Sequence, residues 1–204
     1  MNLFQAAPAA TSIFIANIAL SLVAFVGGKL IYEKLWLHPY SIVRRHRYYL
    51  LLTSGFIHAD FGHLAFNMIT FFFFGFPLAR QIGDMDFLAV YFGSLILSNI
   101  PTVIKEQHNP DYKSIGASGA ISGVLFGYIL FAPLSKIYVF LIPIGIPAVL
   151  FAGLYLAFSY YAAQHNWGNI NHEAHFWGAL AGTLLTILLE PQALDIFYQT
   201  VLGA

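Results

Sequence analysis

Six side chains in this sequence have the types and spacing for chemistry: Ser118, His175, His63, Asn67, His58 and His172. Ser118 sits in the stretch SIGASGAISG (114–123) at the head of an apolar run, and His175 closes His172-Glu-Ala-His175. His63 and Asn67 are four residues apart, which puts them on one face of a helix. A hydroxyl becomes a nucleophile when an imidazole within hydrogen-bond reach takes its proton. The charge that develops on an attacked carbonyl needs fixed donors, and an amide such as Asn67 or a ring N–H such as that of His63 can supply them. The chemistry open to this set is acyl transfer, with Ser118 as nucleophile and His175 as base.

Each residue also has a plainer reading. Gly119, Gly123 and Gly127 recur at four-residue spacing after Ser118, and Gly178 and Gly182 do so after His175. Small residues at that spacing let helices approach closely, and Ser118 alone fits such a packing face. A lone histidine in an apolar helix is commonly a satisfied structural group, and a buried asparagine often links helices. The two readings reinforce each other, because helices meeting through glycine faces bring Ser118 within reach of His175. The soluble hydrolase elbow G-x-S-x-G is not present, since Gly119 follows Ser118 directly. His172-Glu-Ala-His175 is one residue short of the metalloprotease H-E-x-x-H, and a zinc site built from His58, His63, His172 and His175 lacks a carboxylate ligand at the same depth. Neither a metal nor another cofactor is expected.

The elements that must position these groups follow from composition. Of 204 residues, 59% are hydrophobic and 9% charged, where a soluble domain carries about 25%. The chain reads as an all-α membrane protein, embedded in a lipid bilayer. Nine basic and nine acidic residues cancel, so nothing argues for a nucleic-acid partner, and the absence of cysteine removes thiolate and disulfide chemistry. No Lys or Arg precedes the first apolar run, which therefore reads as a permanent span and not a cleaved signal.

Six stretches approach the ~20 apolar residues that cross a bilayer: about 12–32, 58–79, 87–104, 118–134, 144–163 and 175–189. A single domain, 1–204, is expected, with no separate extramembrane domain. The long connection 33–57 interleaves Trp36, Tyr40, Tyr48 and Tyr49 with Arg44, Arg45 and Arg47, which suits a loop lying at the membrane surface. Counted from the charged far end of each span, His63, Ser118 and His175 lie at about 26, 27 and 23 Å, at ~1.5 Å per residue. Spans two, four and six run in the same direction, so the three groups share one end and one depth, in a recess below the surface.

These motifs resemble the rhomboid family of intramembrane serine proteases. Gly116-Ala-Ser118-Gly119 is similar to the family's G-x-S-G at its fourth span, Ala174-His175-x-x-Gly178-x-x-x-Gly182 to the A-H-x-x-G-x-x-x-G of its sixth, and His58-x-x-x-x-His63-x-x-x-Asn67 to the pattern of its second. The likeness runs from about Leu52 to Leu188. It departs at Tyr49-Leu50, where many members carry Trp-Arg, and at Ser122, where some bacterial members place a tyrosine beneath the base.

The resemblance implies a six-transmembrane-helix rhomboid-like bundle and an endopeptidase that cuts transmembrane segments of other membrane proteins. Its dyad is Ser118 and His175, since Glu173 points off a different helix face from His175. His63, Asn67 and backbone N–H groups at the start of span four hold the oxyanion. Gly116, Gly119 and His58 support the site, and Gly123, Gly178 and Gly182 pack the helices. The resemblance also implies a bacterial inner membrane, cytoplasmic termini and a site opening outward. Lys34, Arg44, Arg45, Arg47, Lys105 and Lys113 cluster at the site's end, with Arg80 and Lys136 opposite, so charge alone would orient the chain the other way. Alternatives from other classes are a catalytically silent rhomboid-like protein that binds membrane helices, and a histidine-lined channel or metal transporter. Substrate identity and oligomeric state are not encoded in these motifs.

Overall fold

A computed structural model describes residues 4–138, 144–165, 167–168 and 170–203. Its first helix, α1 (Pro8–Gly27), starts with proline in the first turn, where a missing N–H costs nothing. The carboxylate of Asp84, distant in sequence, accepts the N–H of Ala9 at 3.1 Å and caps that end. Gly28, at φ 54°, ends α1 earlier than the expected residue 32 and leads into α2 (Lys29–Leu35).

The expected surface loop is folded. After α2 come α3 (Pro39–Arg45), α4 (Leu50–Thr53) and a 3-10 turn (Ser54–Phe56). Leu37, Ile42 and Leu50 form a small core of their own, backed by Leu51 and Val103. An isolated bridge fastens this region to the approach to Ser118: Leu37 N–H donates to Ser114 C=O at 2.8 Å, and Ser114 N–H returns to Leu37 C=O at 3.1 Å. Lys113 lies 4.7 Å from the Trp36 ring centroid, a cation–π contact.

Helix α5 (Phe61–Glu106) is one helix only by hydrogen-bond pattern. Gly83 interrupts it at φ 79°, ψ 165°, a conformation open to glycine. The Phe71 ring lies 5.9 Å from that of Tyr91 and 6.0 Å from that of Phe87. Positions twenty apart in a straight helix would be separated by about 30 Å, so the limbs 61–82 and 84–106 fold back on each other. They occupy the second and third expected spans. Phe71, Phe76, Phe87 and Tyr91 are fully buried along the seam, where Asn17 of α1 donates to the Tyr91 hydroxyl at 3.1 Å.

Helix α6 (Ser118–Phe131) is buried without a break from Gly119 to Gly127, as befits a helix apolar on every side at the centre of a bundle. At 14 residues it is about 21 Å long, short of a full crossing and three residues shorter than expected. Beyond it, β1 (Lys136–Tyr138) pairs antiparallel with β2 (Gly145–Pro147), a ribbon that an all-helical reading did not include. Isoleucines at 137 and 146 face each other across it, and β-branched residues favour a pleated pair.

Helix α7 (Ala148–Gln164) buries Ala148, Ser159 and Ala162 and leaves much of its surface outside. Helix α8 (His172–Leu189) begins three residues before the expected span. Pro191, with no N–H to continue the ladder, follows Glu190, and the chain bends by 110° into α9 (Gln192–Leu202), which the sequence reading did not anticipate. By length and composition α1 and α5 can cross a membrane on their own, and α8 with α9 makes a third candidate as a bent pair. Helices α6 and α7 are apolar but shorter.

The seam between α6 and α8 is made of glycine. A β-carbon on Gly178 would strike the backbone of Gly119, and one on Gly182 the backbone of Gly123. On α6's other flank, β-carbons at Gly119 and Gly123 would meet Ser98 and Ser94 of α5. Backbone lies against backbone, which brings the heads of α6 and α8 together.

Candidate active site

At those heads, Ser118 Oγ and His175 Nε2 are 2.8 Å apart. With the hydroxyl donating to Nε2, the ring keeps its own proton on Nδ1. Both side chains are half-buried.

Ser118 is the first residue of α6, and the first intrahelical bond runs from Ile121 N–H to Ala117 C=O at 2.9 Å. The N–H groups of Ser118, Gly119 and Ala120 precede that bond, and Ala117 offers no side-chain cap, so they form a cluster of donors around the hydroxyl. Gly116 sets the approach. Its φ of 118° is a glycine conformation, and a β-carbon there would come within 2.8 Å of His63 Nε2.

His63 is placed by the start of α5, where Asp60 Oδ1 caps the helix by accepting His63 N–H at 2.8 Å. Its Nδ1 accepts the N–H of Ala59 at 3.4 Å, which leaves the ring proton on Nε2, the atom that faces Gly116. Asn67, one turn further and 3% exposed, donates through its amide to His63 C=O at 2.9 Å. One of its two N–H groups is thereby used by its own helix, and the other remains to donate elsewhere.

His58 is fully buried beneath the loop. Tyr32 Oη donates to its carbonyl at 2.6 Å. Ser21 Oγ donates to Phe56 C=O at 3.2 Å and lies 2.9 Å from His58 Nδ1, so the imidazole is the donor to Ser21. Nε2 is then an acceptor, and it faces the N–H of Ala117 at 3.5 Å. A single tautomer satisfies every contact and ties α1 to the residue before Ser118. His58 Nδ1 and His63 Nδ1 are occupied in this way, and His172 Nε2 donates to Trp167 C=O at 3.1 Å. Those ring nitrogens serve the fold, and among the described residues no three His, Asp or Glu side chains are grouped so as to hold a metal ion.

The head of α8 is held from α5. Asn171 Oδ1 accepts Ala174 N–H at 3.0 Å as the helix cap, while its Nδ2 donates to Thr102 Oγ1 at 3.1 Å. Thr102 is also 3.5 Å from Glu173 Oε2. The carboxylate nearest His175 in sequence is thus directed at α5.

Tyr155 of α7 was not singled out by the sequence. Its ring stacks on that of His175 with centroids 6.3 Å apart and planes 20° from parallel, and its hydroxyl lies 2.6 Å from Ser122 Oγ. The available signal was a tyrosine in an apolar run together with a serine one helical turn after Ser118.

Comparison with known proteins identifies the family. The Rhomboid domain family model matches residues 45–192. The chain is 39% identical over 146 residues to YdcA of Bacillus subtilis, whose name ranks it as a candidate rhomboid protease, covering 72% of this chain and 69% of that one. It is 30% identical over 145 residues to the mitochondrial Rhomboid protein 1 of Saccharomyces cerevisiae, and 29% over 143 residues to the human mitochondrial Presenilin-associated rhomboid-like protein. Those alignments cover 66% and 65% of this chain but 40% and 35% of the relatives, so it spans well under half of the mitochondrial proteins. With a short buried α6, a glycine seam and a serine and histidine joined at the heads of α6 and α8, this chain, an integral membrane protein, belongs to the rhomboid family.

Proposed function

We propose that the chain is an intramembrane serine endopeptidase of six spans that cleaves transmembrane segments of other membrane proteins with a Ser118–His175 dyad. The observation that carries this reading is the 2.8 Å contact between Ser118 Oγ and His175 Nε2. Family membership adds a class whose members are generally serine proteases.

His175 Nε2 takes the Ser118 proton as Oγ bonds to the substrate carbonyl carbon, and the carbonyl oxygen becomes an oxyanion. His63 Nε2–H, the free amide N–H of Asn67 and the unpaired N–H groups at the start of α6 are its donors, each worth a few kcal/mol of barrier where water is scarce. Collapse breaks the peptide C–N bond, and His175 returns the proton to the leaving amine. Water then attacks the acyl ester, gives its proton to His175, and Ser118 leaves with that proton restored.

The depth of the site selects the substrate. Helix α6 is about 21 Å long in a bilayer core of about 30 Å, so Ser118 lies below the surface. A helical substrate hides its carbonyls in its own ladder, so cleavage favours segments weakened by Gly, Pro or other helix-breaking residues. The site opens to the extracytoplasmic side, with the surface-lying segment 33–57 around its mouth.

The test is cleavage of a generic transmembrane substrate by purified protein in detergent. Wild type cuts, while Ser118→Ala and His175→Ala do not. Cleavage surviving Ser118→Ala would refute the nucleophile.

A further inference from the structure

We propose that Tyr155 of α7 is the residue that positions the His175 imidazole, and that Ser122 holds Tyr155 in place for this purpose; the proposal rests on the serine-protease reading of the same site. A histidine with one hydrogen bond can still turn about its side-chain axis, so a base aimed at Ser118 needs its ring plane fixed as well. The carboxylate that could fix it, Glu173, is directed at Thr102 of α5. The face of the ring is covered by Tyr155 instead, with centroids 6.3 Å apart and planes 20° from parallel. That is an offset stack inside the range of about 4.5–7 Å where aromatic pairs attract.

Tyr155 is itself restrained on several sides. Its ring contacts Phe126 of α6 at 5.6 Å and Phe151 of its own helix at 5.7 Å. Its hydroxyl meets Ser122 Oγ at 2.6 Å, and Ser122 is 3% exposed. Ser122 stands one turn after Ser118 on α6, on the same face. The contacts therefore close a circuit: Ser118 to His175, His175 to Tyr155, Tyr155 to Ser122, and back along α6 to Ser118. The helix that carries the nucleophile also carries the anchor of the group that orients its base.

The circuit passes through α7, whose buried residues are Ala148, Ser159 and Ala162. Beside the apolar packing of Phe151, Ala152 and Leu156 against the Phe126 and Ile129 cluster, the Tyr155–Ser122 hydrogen bond ties α7 to α6, and the stack passes that position to the imidazole. The seating of α7 and the alignment of the base are one degree of freedom.

The experiment measures two quantities on the full chain in detergent: the rate at which a fluorophosphonate labels Ser118, and kcat and KM for a transmembrane substrate. Tyr155→Leu removes the stack, and both the labelling rate and kcat fall by about ten- to a hundredfold, as for a base displaced by less than an ångström. KM stays within about twofold, because a group met only through the base does not alter uniform binding. Tyr155→Phe keeps the ring and restores most of the rate. Ser122→Ala matches Tyr155→Phe, and the double variant is no slower than either, because both remove the same bond.

Thermal unfolding of each variant is followed in parallel. Wild-type labelling by Tyr155→Leu, a Tyr155→Phe as slow as Tyr155→Leu, or a rate loss that only tracks the unfolded fraction would each overturn the proposal. A wild-type protein that neither labels nor cleaves would overturn the protease reading and this one together. A labelled wild type with an equally labelled Tyr155→Leu overturns only this one.

Discussion

Gly116 presents its bare α-carbon to the edge of the His63 ring: a β-carbon there would lie 2.7 Å from Cε1 and 2.8 Å from Nε2. The loop before Ser118 and the ring that faces it are therefore fitted at van der Waals contact, and glycine is required both by that fit and by a φ of 118°.

Gly116→Ala meets both constraints at once. The backbone cost is about 1–3 kcal/mol, read as a lower unfolding temperature in detergent. The ring of His63 is pushed off its position, so kcat falls more than the stability loss alone accounts for. Unchanged turnover in a folded Gly116→Ala protein would show that His63 is not aligned by this contact.

The seam between α6 and α8 gives a paired prediction. A β-carbon at Gly178 runs into the backbone of Gly119, which cannot rotate away, whereas one at Gly153 of α7 has nothing within 4 Å. Gly178→Ala forces the helices apart, costs about 1–3 kcal/mol and weakens the Ser118–His175 contact. Gly153→Ala is neutral or stabilises by up to ~1 kcal/mol, because alanine is the better helix former. Thermal unfolding and cleavage measured side by side check both.

On the proposed mechanism, Asn67→Ala removes one of several donors to the oxyanion. Loss of a single such donor lowers kcat by about 10²–10³ at most, and the variant remains measurably active because His63 and the α6 N–H groups persist. KM changes little, since the donor acts on charge that appears only in the transition state. A variant as dead as Ser118→Ala would mean that Asn67 has a structural duty beyond the amide.

His58 tests support from below. His58→Ala leaves the Ala117 N–H without its ring partner, at about 1–3 kcal/mol, takes one of two contacts from the Ser21 hydroxyl, and empties the space of a fully buried ring, at about 2–5 kcal/mol more. Ser21→Ala removes two contacts, to Phe56 C=O and to His58 Nδ1, at about 1 kcal/mol each. The order of unfolding temperatures is wild type, Ser21→Ala, His58→Ala, and the same order holds for cleavage.

Much of this site could be read from residue types. Apolar length located helices over all six expected stretches, and glycine spacing marked the seam that brings Ser118 to His175. What escaped was set by tertiary contact. The reversal between the second and third spans was expected from their apolar lengths, but that it turns on Gly83 within a continuous helical hydrogen-bond pattern was not, because the φ of 79° there is set by the folded limbs. The region 33–57 has a core of three residues, too small to produce a periodic pattern. Tyr155 escaped because a stacking partner has no spacing rule: nothing in the sequence links position 155 to position 175 until α7 is laid beside α8. Helix α9 lay beyond the last long apolar run and turns on a proline.

The glycine contact between α6 and α8 has a mechanical consequence. Where main chain rests on main chain, no rotamer can lengthen or shorten the gap, so the separation of Ser118 from His175 is governed by atomic radii. Bilayers of different thickness are expected to strain the less buried α7 before this central joint. Acyl-chain length should therefore tune how readily a peptide gets in and how α7 seats Tyr155, while the reach from hydroxyl to imidazole stays constant from one lipid to the next.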